Sequence, residues 1–169
     1  GLVHESRSFS FRSDELDVPS LVKHLTDRLV PMGFAEASNV DVYSMAFHEA
    51  LVNALEHGNL ELDSSLKGDT LNPNDAYVAL AQERMGDPCF ASRRIDVAVE
   101  ATPDCFTVEV TDEGRGFNTA KAALIDPDAM PRQCGRGLAL IHMVMDEVNF
   151  NPKGNQIRMC LRRKDKPQA

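Results

Sequence analysis

The 169 residues carry 18 Lys and Arg against 26 Asp and Glu, a formal net charge of −8, with 43% hydrophobic residues, 6% aromatics and no Trp. This balance argues against a duplex-binding face, while leaving room for a local phosphate pocket, and it is that of a foldable chain rather than a disordered or fibrous one. The length suits one domain, residues 1–169, with a core of its own.

The segment Ser8 to Arg12 alternates polar and apolar residues and predicts a short edge strand. Between Leu16 and Leu29, Val18, Leu21, Val22 and Leu25 fall at helical spacing, and Pro31 with Gly33 closes the element. A longer helix is expected from Ser38-Asn39 or Asp41, residues suited to N-capping, through His57 to a stop at Gly58-Asn59. On it Tyr43, Phe47, Leu51 and Ala54 make an apolar stripe, while Glu49, Asn53 and His57 follow at i, i+4 and i+8 on another face.

Residues 60 to 93 are the least regular and read as an insertion holding one short helix, Asp75 to Arg84. Ile95 to Val99 and Phe106 to Val110 alternate with period two around Thr102-Pro103-Asp104 and predict an antiparallel hairpin. After Gly114 and Gly116 comes a mixed stretch with a short helix at Thr119 to Leu124. Leu138 to Met145 forms a compact helix, and Val148 to Phe150 and Ile157 to Leu161 flank the turn Pro152-Lys-Gly-Asn155. The tail from about 162 to 169 should fray. Strands late and helices early suggest an α/β sandwich, a mixed, mostly antiparallel sheet with helices on one face.

No apolar run nears the roughly 18 to 20 residues that span a bilayer, and the start Gly1-Leu2-Val3-His4-Glu5 has no basic-then-apolar pattern. A cytoplasmic protein is expected, and the Gly at position 1 leaves room for a larger parent. Cys89, Cys105, Cys134 and Cys160 are widely spaced with no CxxC pair, the pattern of free packed thiols.

His48-Glu49 invites an HExxH zinc reading, but Val52 stands where the second His must be. Glu49, Asn53 and His57 remain a carboxylate, an amide and an imidazole on one face, suited to a hard cation or to base work, with a solvated face as the alternative. Asp112-Glu-Gly114-Arg-Gly116-Phe117 follows a strand, and its glycines allow close backbone approach to a ligand. Neither a GxGxxG dinucleotide motif nor a GxxxxGK[ST] loop fits. Gly135-Arg136-Gly137 at a helix start has the form of an anion cradle.

Taken together, Glu49-Ala-Leu-Val-Asn53-Ala-Leu-Glu-His57-Gly58 resembles the N box of the GHKL ATPases, Asp112 to Phe117 their G1 box, and Gly135-Arg-Gly-Leu138 their G2 box. Within that superfamily the NAxxHG ending and the GRGLALI form resemble the anti-sigma-factor serine kinases. The resemblance covers roughly residues 8 to 161. It implies a two-layer α/β sandwich binding ATP and Mg²⁺, with Asn53 on the metal and Glu49 as base toward the attacking hydroxyl. It further implies Asp112 on the adenine amino group, Gly114 and Gly116 giving the base room, and Gly135, Arg136 and Gly137 on the phosphates. Leu138 completes the G2 box, residues 118 to 134 would form the ATP lid, and His57 matches the motif histidine, with a role in packing that lid. The insertion from Leu60 to Arg93 resembles that of kinase-like domains attached to response regulators, and Asn155 stands where relatives often have Thr.

The function so implied is that of a protein serine/threonine kinase that phosphorylates a STAS-domain anti-anti-sigma protein and sequesters a sigma factor, without touching nucleic acid or membrane. The alternative is a nucleotide-binding partner switch with little transferase activity, the output of an upstream receiver domain. A histidine kinase would need a helical hairpin with a phospho-accepting His, for which the chain has no room; His24 is expected to be solvated. The unpaired edge at Ser8 to Arg12 points to a homodimer.

Overall fold

The computed structural model describes residues 4–67, 75–117 and 136–163. Strand β1 (Glu5–Arg12) is longer than its alternation suggests, because it pairs along its whole length with β2 (Arg94–Ala101), from Glu5 opposite Ala101 to Arg12 opposite Arg94. Strand β3 (Cys105–Asp112) completes the expected hairpin, and β4 (Glu147–Phe150) and β5 (Gln156–Arg162) close the sheet in the order β1-β2-β3-β5-β4. Every pairing is antiparallel, so the mixed sheet expected from sequence is antiparallel throughout the described residues.

On β2 the alternation is complete: Ile95, Val97, Val99 and Ala101 are buried against the helices, while Arg94, Asp96, Ala98 and Glu100 face outward. Helix α1 (Val18–Thr26) starts at Asp17, whose carboxylate accepts the Ser20 N–H at 3.2 Å, and buries Val18, Leu21, Val22 and Leu25. His24 on it is exposed, its ring edge-on to Phe9. Helix α2 (Val40–Val52) buries Tyr43, Phe47 and Leu51 in the same core. Asn39 precedes it without capping it: its side chain accepts the Glu36 N–H instead.

The expected long helix changes character rather than continuing to His57. After Val52 the chain widens into a π turn (Asn53–Asn59), closed by Leu60 N–H to the Leu55 carbonyl at 2.8 Å. The insertion holds a 3₁₀ turn (Ser64–Leu66), α3 (Ala76–Gly86) and α4 (Pro88–Ala91), one helix more than the sequence suggests. Asp75 and Asp87 cap the two helices through the N–H groups of Tyr77 and Cys89. Leu60, Leu62 and Tyr77 give this region a small core of its own, with Leu80, Met85 and Phe90 against it.

Helix α5 (Arg136–Val144) packs beside α2 through Ile141. The lid at 118–134, the short helix at 119–124 and the tail from 164 lie outside the described residues; at its expected start the tail is not frayed, since Arg162 ends β5 and the Arg163 N–H donates to the Asp104 carbonyl. The cysteines are not all free thiols. Cys105 and Cys160 are paired as a disulfide, Cys89 is free and exposed, and Cys134 lies outside the described residues. The β3–β5 register sets Thr107 opposite Cys160 and Cys105 opposite Arg162, so the two cysteines are diagonal neighbours with Cα atoms 6.6 Å apart. Linear spacing carries no trace of that register.

Candidate functional site

One end of the sheet opens on a cavity of about 300 Å³. Asn53, His57 and Gly58 of the π turn line one side, Asp112 with Gly116 and Phe117 the floor, and Gly137 with Leu138 of α5 another wall. The last wall is the β4–β5 hairpin, through Phe150, Gly154 and Asn155. Three motifs separated by tens of residues therefore meet around one space.

Close packing of backbone and carboxylate forms its base. A Cβ on Gly58 would overlap the Asp112 carboxyl group, and one on Gly114 would overlap the Gly58 carbonyl, so only glycine fits at either position. The Gly114 N–H donates to Asp112 Oδ1 at 2.8 Å. Burial pushes the Asp112 carboxyl up to about 6, although the Gly114 N–H and the charges of Lys153 and Arg93 pull the other way. A carboxylate that poor in solvent gains from any ligand that brings it a hydrogen-bond donor.

His57 Nδ1 lies 2.7 Å from the Leu62 carbonyl. A carbonyl can only accept, so Nδ1 carries the proton in this pairing and Nε2 keeps the remaining hydrogen-bonding capacity. Glu56, next in the chain, accepts the Tyr77 hydroxyl at 2.6 Å and faces Lys67 at 3.5 Å. Burial, then the Glu56 contact, raises the Tyr77 phenol far above its ordinary value. Arg84 donates to the Leu60 and Glu61 carbonyls and Arg93 to the Asn59 carbonyl, and both guanidinium groups lie over the Phe90 ring, at 4.9 and 4.8 Å from its centroid. The insertion is thus tied to the very turn that carries Asn53, His57 and Gly58.

The Glu49 carboxylate lies against Gly137 so closely that a Cβ there would overlap Oε2. That places an anionic group beside the start of α5, where free N–H groups favour negative charge. Of the residues singled out from sequence, Asn53, His57, Asp112, Gly116, Gly137 and Leu138 line the cavity. Glu49 stands behind Gly137 and Gly114 beneath the Asp112 turn. Arg136 opens α5 in an exposed position and is not among the described lining residues, although its neighbour Gly137 is, and Gly135 lies outside the described residues. Two features escaped the sequence reading. Phe150 meets Phe117 edge-to-face at 5.2 Å, a contact hidden in an ordinary strand. Asn59, read only as a helix stop, is fully buried and bonded to three strand ends.

Among the described residues no three His, Cys, Asp or Glu side chains cluster as a metal site, and no helix is long and apolar enough to cross a membrane. Residues 20–161 match the family of the histidine kinase-like ATPase domain, most of the chain, and the protein belongs to that family. Its antiparallel sheet with helices on one face is the α/β fold of the GHKL superfamily, and its class is that of ATP-binding, kinase-like domains. A search of curated proteins found no match.

Proposed function

We propose that the chain is an ATP- and Mg²⁺-dependent protein serine/threonine kinase of the anti-sigma-factor type, which phosphorylates a STAS-domain anti-anti-sigma protein and sequesters a sigma factor. The observation that carries this reading is the meeting of Glu49 with Gly137 at the start of α5. It sets a carboxylate able to take a proton next to backbone suited to phosphate, within one cavity system.

Asp112 receives the adenine amino group, and the glycines at 58 and 114 let the backbone pack tightly enough around that carboxyl to hold it at the cavity, which Gly116 also lines. Phe117 and Phe150 supply an apolar wall. The phosphates run toward Gly137 at the start of α5, and the motif resemblance adds Gly135 and Arg136 to their binding. Asn53 fits a Mg²⁺ ion, since that ion keeps several waters and phosphate oxygens and asks the protein for one or two oxygen ligands only. An ion held there would supply charge neutralisation for the triphosphate. Glu49 accepts the proton of the partner's serine hydroxyl as that oxygen attacks the γ-phosphorus; the phosphoryl group passes to serine and ADP leaves. His57, its Nδ1 proton held by Leu62, steadies the cavity mouth.

Further parts of the reading concern partners. The free edge of β1 pairs two copies, an upstream receiver domain supplies the signal, and the whole works in the cytoplasm. The test is transfer of labelled γ-phosphate to the STAS-domain protein encoded nearest this chain. Glu49→Ala is expected to keep ATP affinity within about threefold while slowing transfer by about 10²-fold or more. A wild-type protein that binds ATP and its partner yet transfers nothing would leave a partner switch without kinase activity.

A further inference from the structure

We infer that Asn59 and Asn155 form a two-sided amide bracket that aims the Asp112 carboxylate, and through it sets the preference of the cavity for a 6-amino purine. The inference rests on the adenine reading of Asp112 given above.

Asn59 is 0% exposed, and its side-chain amide is fully employed. Nδ2 donates to Ser13 Oγ at 2.9 Å and to the Arg94 carbonyl at 3.0 Å, while Oδ1 accepts the Glu113 N–H at 2.8 Å. Those partners are the residue after β1, the first residue of β2 and the residue after β3. One buried amide therefore ties three strand ends to the last residue of the π turn. Ser13, also 0% exposed, passes the tie onward by donating its N–H and hydroxyl to the Arg93 carbonyl at 2.8 and 3.0 Å.

Asn155 works from the other side. Its carbonyl accepts the Asp112 N–H at 2.9 Å, and its Nδ2 donates to the Asp112 carbonyl at 2.5 Å. Its Oδ1 is in turn held by Asn151 Nδ2 at 2.9 Å. Asn155 thereby pins both peptide units flanking the Asp112 Cα, the first through its backbone carbonyl and the second through its side chain, and Asn59 holds the Glu113 N–H of that second unit as well. With Oδ1 taken by the Gly114 N–H, side-chain rotation is fixed as well, and Oδ2 holds most of the acceptor capacity left for a ligand.

Amides suit this task better than charged groups. An ammonium or guanidinium in the same places would neutralise the carboxylate and compete with the ligand for it. An amide fixes the backbone and leaves the acidic oxygen free. Asn59 and Asn155 are positioning residues: Asn59 is too deeply buried to touch the nucleotide, and Asn155, although it lines the cavity, spends its Nδ2 and its backbone carbonyl on Asp112.

The experiment compares dissociation constants for ATP and for purine riboside triphosphate, which lacks the 6-amino group, measured by calorimetry on the full chain with Mg²⁺. A charge-assisted hydrogen bond predicts that the wild-type protein prefers ATP by about tenfold or more. Asn155→Ala is expected to cut that preference to about threefold or less, read as the ratio of the two dissociation constants so that any loss of wall contact shared by both nucleotides cancels. Asn59→Ala should do the same in whatever fraction folds, and Asn155→Ala stands alone as the test if it does not. A merely structural role would weaken both nucleotides in proportion, and that result would overturn the bracket. So would a preference that survives Asn155→Ala intact. Equal binding of both nucleotides by the wild-type protein would overturn the adenine reading itself, and the bracket with it.

Discussion

Replacing Asp112 by Asn should make the empty protein more stable while removing its ligand. The asparagine keeps an oxygen for the Gly114 N–H, now 2.8 Å from Oδ1, but carries no charge to desolvate. Burial raises the Asp112 carboxyl from 3.8 to about 6, so the folded state binds more protons than the unfolded one between those values. The sign follows: this group takes stability away as pH rises from about 4 to about 6, and above that the loss is constant. The full shift corresponds to about 3 kcal/mol, and partial exposure of the carboxylate reduces this to about 1–2 kcal/mol. Urea unfolding of wild-type and Asp112→Asn protein at pH 8 should show that difference in favour of the variant, and at pH 4 most of it should be gone. ATP affinity of the variant should fall by about tenfold or more. A gain of equal size at both pH values, or no gain at pH 8, would refute the claim that a desolvated charge sits at this position.

Gly58→Ala places a methyl group into the Asp112 carboxyl, and should cost about 1–3 kcal/mol in urea unfolding together with most of the nucleotide affinity. Reduction of the Cys105–Cys160 bond, which closes a sequence separation of 55, should lower unfolding free energy by about 2–4 kcal/mol, read as a shift of the urea midpoint with and without dithiothreitol. An unchanged midpoint would mean that the β3–β5 register holds without the link.

The elements that bury apolar faces were legible from sequence because periodicity reports burial directly. The alternation of Ile95, Val97 and Val99 and the stripe of Tyr43, Phe47 and Leu51 both survive unchanged in the structure. The motif residues could be named from sequence because fixed local spacings carry them, and the fold brings Asn53, His57, Asp112, Gly116, Gly137 and Leu138 around one cavity. What could not be read were features made by contact between distant segments. Asn59 and Gly58 looked like an ordinary helix stop because the partner that demands a glycine, Asp112, lies fifty-four residues on. The π turn has no composition signature, and the Cys105–Cys160 pair depends on a strand register that spacing does not encode. Arg136 is exposed at the start of α5, beside the lining residue Gly137, so its motif position by itself does not make it a wall of the cavity.

The walls of the cavity come from residues near 53–58, 112–117, 137–138 and 150–157. No two neighbouring elements suffice to make it, so a chain with any one of these segments undocked has no site at all. A nucleotide bound there acts as a reversible staple across the whole domain, and its binding energy is added to global rather than local stability. At a hundred times its dissociation constant it would contribute about 2.7 kcal/mol. Cellular nucleotide supply then becomes a determinant of how much of this protein stays folded and escapes proteolysis, separately from how fast any folded copy works.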